Sequence, residues 1–127
     1  MSKKPNIVFM GTPQFAVSSL KILLQNNYPI KAVVTATDKP AGRGKKIQFS
    51  DVKKFAIENN LDILQPDNLK SPEFIEQLRL INADLFIVVA FRMLPKQVWE
   101  MPKLGTFNLH ASLLPDYRGA APINHAV

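Results

Sequence analysis

Cysteine is absent from the sequence. That one absence removes disulfide scaffolds, thiolate nucleophiles and cysteine-ligated zinc together, and it fits a reducing compartment. Histidine is nearly absent too, with two residues. Even a catalytic zinc usually takes three protein ligands, so no metal site is expected. Long apolar runs are missing: the longest, Leu85 to Phe91, is far short of the ~20 residues that a membrane-spanning helix needs. Lys3 and Lys4 are followed by Pro5, Asn6 and a strand-like run, with no apolar core of a signal peptide. The expectation is a cytoplasmic protein with no membrane partner. Glycine is scarce where a dinucleotide would need it. The first strand-to-helix turn offers only Gly11, whereas the dinucleotide fingerprint uses three glycines at fixed spacing, so neither a nicotinamide nor a flavin is expected. Gly42-Arg43-Gly44-Lys45-Lys46 looks like a phosphate loop only superficially. No glycine stands five residues before Gly44 and no Ser or Thr follows Lys45.

What is present suits a packed domain. Of 127 residues, 46% are hydrophobic and 20% charged, too apolar and too sparsely charged for a disordered chain. Asn6 to Met10 reads as a buried strand, and Gly11-Thr12-Pro13 as a turn with an N-cap and a proline in the first helical position. A helix follows with Ala16, Leu20, Leu23 and Leu24 on one face, ended by Asn26, Asn27 and Pro29. Ile30 to Ala36 is the second strand. Residues 38–49 carry Pro40, Gly42 and Gly44 without apolar periodicity and read as an exposed loop. Ser50 or Asp51 caps a helix with Val52, Phe55 and Ala56 on one face, and Ile63-Leu64 is a short strand. Ser71-Pro72 opens a helix to about Leu80, with Phe74, Ile75 and Leu78 inward. Leu85 to Ala90 is apolar on both faces, as in a parallel sheet covered by helices on each side. One or two helical turns over Pro95 to Met101 and a strand over Thr106 to His110 complete the pattern. Strands alternating with helices give an α/β fold: a three-layer, Rossmann-like open sheet, mainly parallel. Pro122 reads as the start of a further helix, and the whole as the front part of a longer, truncated domain.

Two constellations carry chemistry. From Asp38 to Lys54 there are six cations (Lys39, Arg43, Lys45, Lys46, Lys53, Lys54) against two acids, a net +4 of the chain's +6. Such a concentration is an electrostatic footprint for a polyanion. From charge alone, a solvated surface loop is the commoner reading. Gly42 and Gly44 favour the polyanion, because small residues let a phosphate chain approach the backbone. The second constellation is Asn108-Leu109-His110. Residues two apart on a strand share a face, so the amide and the imidazole emerge together while Leu109 packs behind them. They fall at the carboxyl end of a strand, where open α/β sheets place ligands. An amide donor beside a group that titrates near neutrality suits acyl transfer to an amine. By spacing alone, two polar residues satisfying a strand end is the commoner reading here too. Ser112-Leu113-Leu114-Pro115 follows at once; by itself it reads equally as core packing before a loop, and its position after the pair suits the wall of a pocket for a flat, partly apolar ligand.

Together these residues carry a resemblance. Phe9 to Ala16, Asn108 to Pro115 and Arg118 to Ile123 resemble the N-terminal part of the formyltransferase domain of the methionyl-tRNA formyltransferases, within the 10-formyltetrahydrofolate-dependent enzymes. The resemblance implies a formyltransferase fold with Asn108 and His110 as catalytic groups, and with Ser112, Leu113, Leu114 and Pro115 toward the folate co-substrate. It also implies that Lys39, Arg43, Lys45 and Lys46 hold the acceptor end of methionyl initiator tRNA, because Asp38 to Lys46 resembles the basic loop that marks the tRNA enzymes. A monomer is expected. Residues 1–127 would be the N-terminal portion of the catalytic domain and inactive alone, with a third catalytic group (an aspartate) and a C-terminal tRNA-binding domain downstream. Ala90 to Pro95 is one residue shorter than the familiar glycine-containing segment, so Arg92 is not assigned a role. Two other readings stay open: a formyltransferase for a small amine, such as an aminosugar nucleotide or glycinamide ribonucleotide, and a non-catalytic folate- or RNA-binding module.

Overall fold

The computed structural model describes residues 4–41, 46–109 and 120–122, with side chains described at neither Ala41, Lys46 nor 120–122. Strand β1 (Ile7–Gly11) is buried throughout. Helix α1 (Gln14–Gln25) returns the chain to β2 (Ile30–Val34), which pairs in parallel with β1. Pro13 occupies the N-cap of α1, one place earlier than the first helical position expected of it. A hairpin, β3 (Lys39–Ala41) and β4 (Lys46–Gln48), comes next. Helix α2 (Asp51–Glu58) and β5 (Ile63–Leu64) extend the sheet beyond β2. Helix α3 (Pro72–Ile81) then carries the chain to the other side of β1, where β6 (Leu85–Val89) pairs with it. A short helix α4 (Lys96–Trp99) leads to β7 (Thr106–Leu109), and β8 (Ala120–Pro122) runs antiparallel to β7. The order is β5-β2-β1-β6-β7-β8, parallel except at β8, as the mainly parallel α/β reading requires.

Both faces of the sheet are covered. Phe9, Val33 and Val89 pack with Ala16, Val17 and Leu20 of α1 and Val52 and Ala56 of α2. Val8, Met10, Ala32, Val34, Phe86 and Val88 face the opposite way, against Phe74 and Leu78 of α3 and Val98 of α4. Strict alternation along β1 and β6 thus feeds two cores from strands apolar on both faces. Gly11 lets α1 approach: a Cβ there would lie 2.7 Å from the Ala16 Cβ and 2.9 Å from the Val89 carbonyl oxygen.

Two expectations are corrected. Residues 39–41 and 46–48 are a hairpin, in which Lys39 opposes Gln48 and Pro40 opposes Ile47. Ladder pairing of three residues a side, one of them proline, leaves no apolar periodicity to read. Pro122, expected to open a helix, is the last residue of β8 and pairs with Phe107; it sits on the outer strand of the sheet, where a missing N–H is tolerated.

Candidate active site at the carboxyl ends of the strands

The order of strands reverses beside β1: the chain goes first to β2 on one side, then crosses to β6 on the other. In open α/β sheets the crevice at that switch point, outside the strands' carboxyl ends, is the natural ligand site. A crevice of about 440 Å³ lies there, lined by Thr12, Ala36, Thr37, Lys39, Ala90, Phe91 and Arg92. A smaller one of about 200 Å³ shares Thr12, Ala36, Thr37 and Lys39 and continues to Gln48, Phe49 and Ser50. Lys39 and Gln48, opposed across the hairpin, therefore both look onto this end of the sheet. Lys39, of the predicted cations, is on the crevice wall; Lys46 stands on β4 opposite Ala41, its side chain outside those described. Arg43 and Lys45 lie outside the described residues.

Asn108 stands on β7 level with Val88, which is itself level with Met10 of β1. That is one row before the strands end at Gly11, Val89 and Leu109. Paired residues of a parallel ladder share a face, so Asn108 lies on the α3/α4 side with Val88, while Leu109 packs into the α1/α2 core. Leu109 thus packs on the face opposite Asn108, as the strand alternation requires. None of the hydrogen bonds among the described residues uses the half-buried Asn108 amide. Two residues earlier Thr106, fully buried, fixes the start of the strand by donating from its hydroxyl to the Trp99 carbonyl at 2.7 Å. Asn108 is not among the crevice-lining residues; β6 stands between β7 and β1. His110 and Ser112 to Pro115 lie outside the described residues.

Sequence reasoning missed several contributors. Arg92 donates to the carbonyls of Pro66 and Asp67 at 2.9 and 3.0 Å, with its guanidinium 5.1 Å from the Phe91 ring. It thereby ties the segment after β6 to the turn after β5. Ala90 takes φ 50°, a left-handed conformation that glycine would adopt without strain. The signal was present in the sequence, since Ala90 begins the segment that differs from the glycine-containing form. Asp38 accepts hydrogen bonds from Lys53 Nζ at 2.8 and 3.0 Å and from Gln65 Nε2 at 2.8 Å. Chiefly the Lys53 bonds, and then that of Gln65, hold its carboxyl below the ordinary 3.8. Lys53 is thus withdrawn from the polyanion footprint in which it was counted. The net charge of the stretch is unchanged, because the pair cancels. Among the described residues no three metal-ligating side chains come together, and no helix is long and apolar enough to cross a membrane.

The fold and the placement of the site define a class. The family model described as formyl transferase matches residues 5–127, and the chain belongs to that family. Within it, the chain is 64% identical to the methionyl-tRNA formyltransferase of Flavobacterium johnsoniae over 98% of its length, and 64% identical to that of Bacteroides thetaiotaomicron over 95%. It spans about two fifths of these curated relatives, 40% and 38%. Among solved structures, a phosphoribosylglycinamide formyltransferase from Coxiella burnetii shares the fold at 19% identity, with a TM-score of 0.60 over 92% of this chain and 56% of that one. A sugar 3N-formyl transferase, solved in the presence of dTDP and 5-N-formyl-THF, aligns at 25% identity with a TM-score of 0.50, over 92% of this chain and 39% of that one.

Proposed function

We propose that the protein of which these residues form the N-terminal part of the catalytic domain transfers a formyl group from 10-formyltetrahydrofolate to the α-amine of methionyl initiator tRNA. The remainder of the catalytic domain and a C-terminal tRNA-binding domain lie downstream, and the whole acts as a cytoplasmic monomer without a metal. The observation that carries this reading is the 64% identity to enzymes named for that acceptor, across 98% of the chain. The geometry supports it: a crevice at the switch point, a half-buried amide near the end of β7 on the far side of β6, and a basic hairpin beside the crevice mouth.

In the reaction the amine nitrogen forms a bond to the formyl carbon, and the carbonyl electrons move onto oxygen. The Asn108 N–H donates to that oxyanion. The oxyanion collapses, the carbon–N10 bond breaks, and tetrahydrofolate leaves. The proton lost by the amine is returned to N10, carried by His110. Ser112 to Pro115 wall the folate. Lys39, Arg43, Lys45 and Lys46 hold the tRNA backbone. An interaction made mainly in the transition state is worth ~3 to 4 kcal/mol, or about 10² to 10³ in kcat. Asn108→Ala in the complete gene product is therefore expected to lower kcat by that factor with little change in the folate KM. A raised folate KM with kcat intact would remove Asn108 from this role.

A further inference from the structure

Among the described residues, strands β3 and β4 pair with each other and with no third strand, and a lone two-stranded ribbon is marginal in water unless something holds it. Apolar packing does not: Ile47 is 65% exposed. The hairpin is held at its base instead. Asp38, immediately before β3, takes both Lys53 bonds and the Gln65 bond. Phe49, immediately after β4, lies under the same Lys53 ammonium, 3.9 Å from its ring centroid. One cation therefore touches both legs. Its own place is fixed, because Ser50 is the N-cap of α2: its hydroxyl accepts from the Lys53 N–H at 3.0 Å and hydrogen-bonds with the buried Thr35 hydroxyl at 2.6 Å. On the other flank Gln65 Nε2 also donates to the Ala36 carbonyl at 3.0 Å, joining the end of β2 to the same carboxylate.

We propose that Asp38, Lys53 and Gln65 form a clamp that orients the basic β3–β4 hairpin over the crevice, so that Asp38 and Lys53 position the phosphate-bearing acceptor without touching it. The proposal rests on the function given above, in which that hairpin meets tRNA. It assigns Lys53 a role opposite to that of its neighbours. The two roles predict effects of opposite sign for one substitution. Asp38→Asn removes a negative charge and frees the Lys53 ammonium. Were Lys53 a phosphate contact, the variant would use charged tRNA better, and its binding would depend more steeply on salt, by about 0.7 to 0.9 in log-log slope for each added contact. As a clamp, its loss raises the KM for methionyl initiator tRNA about fivefold, the upper end for a partly exposed ion pair. The folate KM and the salt slope stay as in the unaltered protein.

The test is steady-state formylation by the complete gene product and its Asp38→Asn and Asp38→Glu variants, with hydrogen exchange of the β3 and β4 amides measured on the same proteins. The clamp predicts the raised tRNA KM in Asp38→Asn, partial recovery in Asp38→Glu, and faster exchange confined to the hairpin while β1 and α1 are unchanged. A lowered tRNA KM with a steeper salt slope, or hairpin exchange unmoved by Asp38→Asn, overturns it. General unfolding is separated by the exchange of β1. Should the unaltered protein formylate no tRNA, the functional reading fails, and the exchange measurement still decides whether the clamp exists.

Discussion

Gly11 is the position at which one added carbon should be felt most. A Cβ placed there lies 2.7 Å from the Ala16 Cβ, 2.9 Å from the Val89 carbonyl oxygen and 3.1 Å from Phe9 Cε2. Ordinary carbon contacts sit near 3.5 to 4.0 Å, so the first contact is short by about 1 Å. None of these atoms is the loose end of a long side chain. Ala16 belongs to the first turn of α1, Val89 O to the backbone of the neighbouring strand, and Phe9 is fully buried. The helix must therefore retreat from the sheet, or β1 and β6 must part. Overpacking of this kind costs about 1 to 3 kcal/mol, which in a protein of a few hundred residues lowers Tm by roughly 2 to 4 °C per kcal/mol. Thermal unfolding of Gly11→Ala against the unaltered complete protein measures it. Adding Ala16→Gly removes the closest contact but leaves the Val89 oxygen in the way, so the double variant should recover part of the loss, less about 1 kcal/mol for glycine inside a helix. A Tm for Gly11→Ala equal to that of the unaltered protein would refute the reasoning.

Other predictions follow from single features of the site. Arg43→Ala should weaken use of charged tRNA, leave folate binding unchanged and reduce the salt slope of tRNA binding by about 0.7 to 0.9; equal slopes would return the residue to solvated surface. Ala90→Gly relieves a left-handed φ of 50° and should stabilise the protein by about 1 kcal/mol against chemical denaturation. The carboxyl of Asp38 is held below 3.8 by Lys53 and then Gln65, so its stabilising effect is complete above that pH and fades as pH falls through the lower folded value. Stability curves of the unaltered protein and Asp38→Asn should accordingly converge in acid, and a gap that stays constant from neutral pH into acid would contradict this.

The sheet was legible in the sequence because its strands carry an unusual signature. Ile7 to Met10 and Leu85 to Val89 are apolar at successive positions, which a half-exposed strand does not tolerate, and each turned out to feed both cores. Helices α2 and α3 announced themselves by their caps: Ser50 and Ser71 each accept from the N–H three residues on. What was not legible depends on pairings between distant residues. The hairpin is three pairs long and contains a proline, and Lys53 looked like one more cation until Asp38 and Gln65, separated from it by 15 and 12 positions, were brought against it. Arg92 has no role assigned from sequence, and its partners, the backbone carbonyls of Pro66 and Asp67, are likewise distant along the chain. Of the candidate site, Asn108 lies on β7 one row before its end, with Leu109 packed on the opposite face; its expected partner His110 lies outside the described residues.

The central claim is the acceptor, and one assay addresses it directly. The complete gene product is given 10-formyltetrahydrofolate with methionyl initiator tRNA, charged elongator tRNA, glycinamide ribonucleotide and an aminosugar nucleotide in parallel, and transfer of the formyl group is followed. The account predicts transfer to methionyl initiator tRNA alone. Formylation of a small amine with none of the tRNA would leave Asn108 its chemistry and contradict the role given to the basic hairpin.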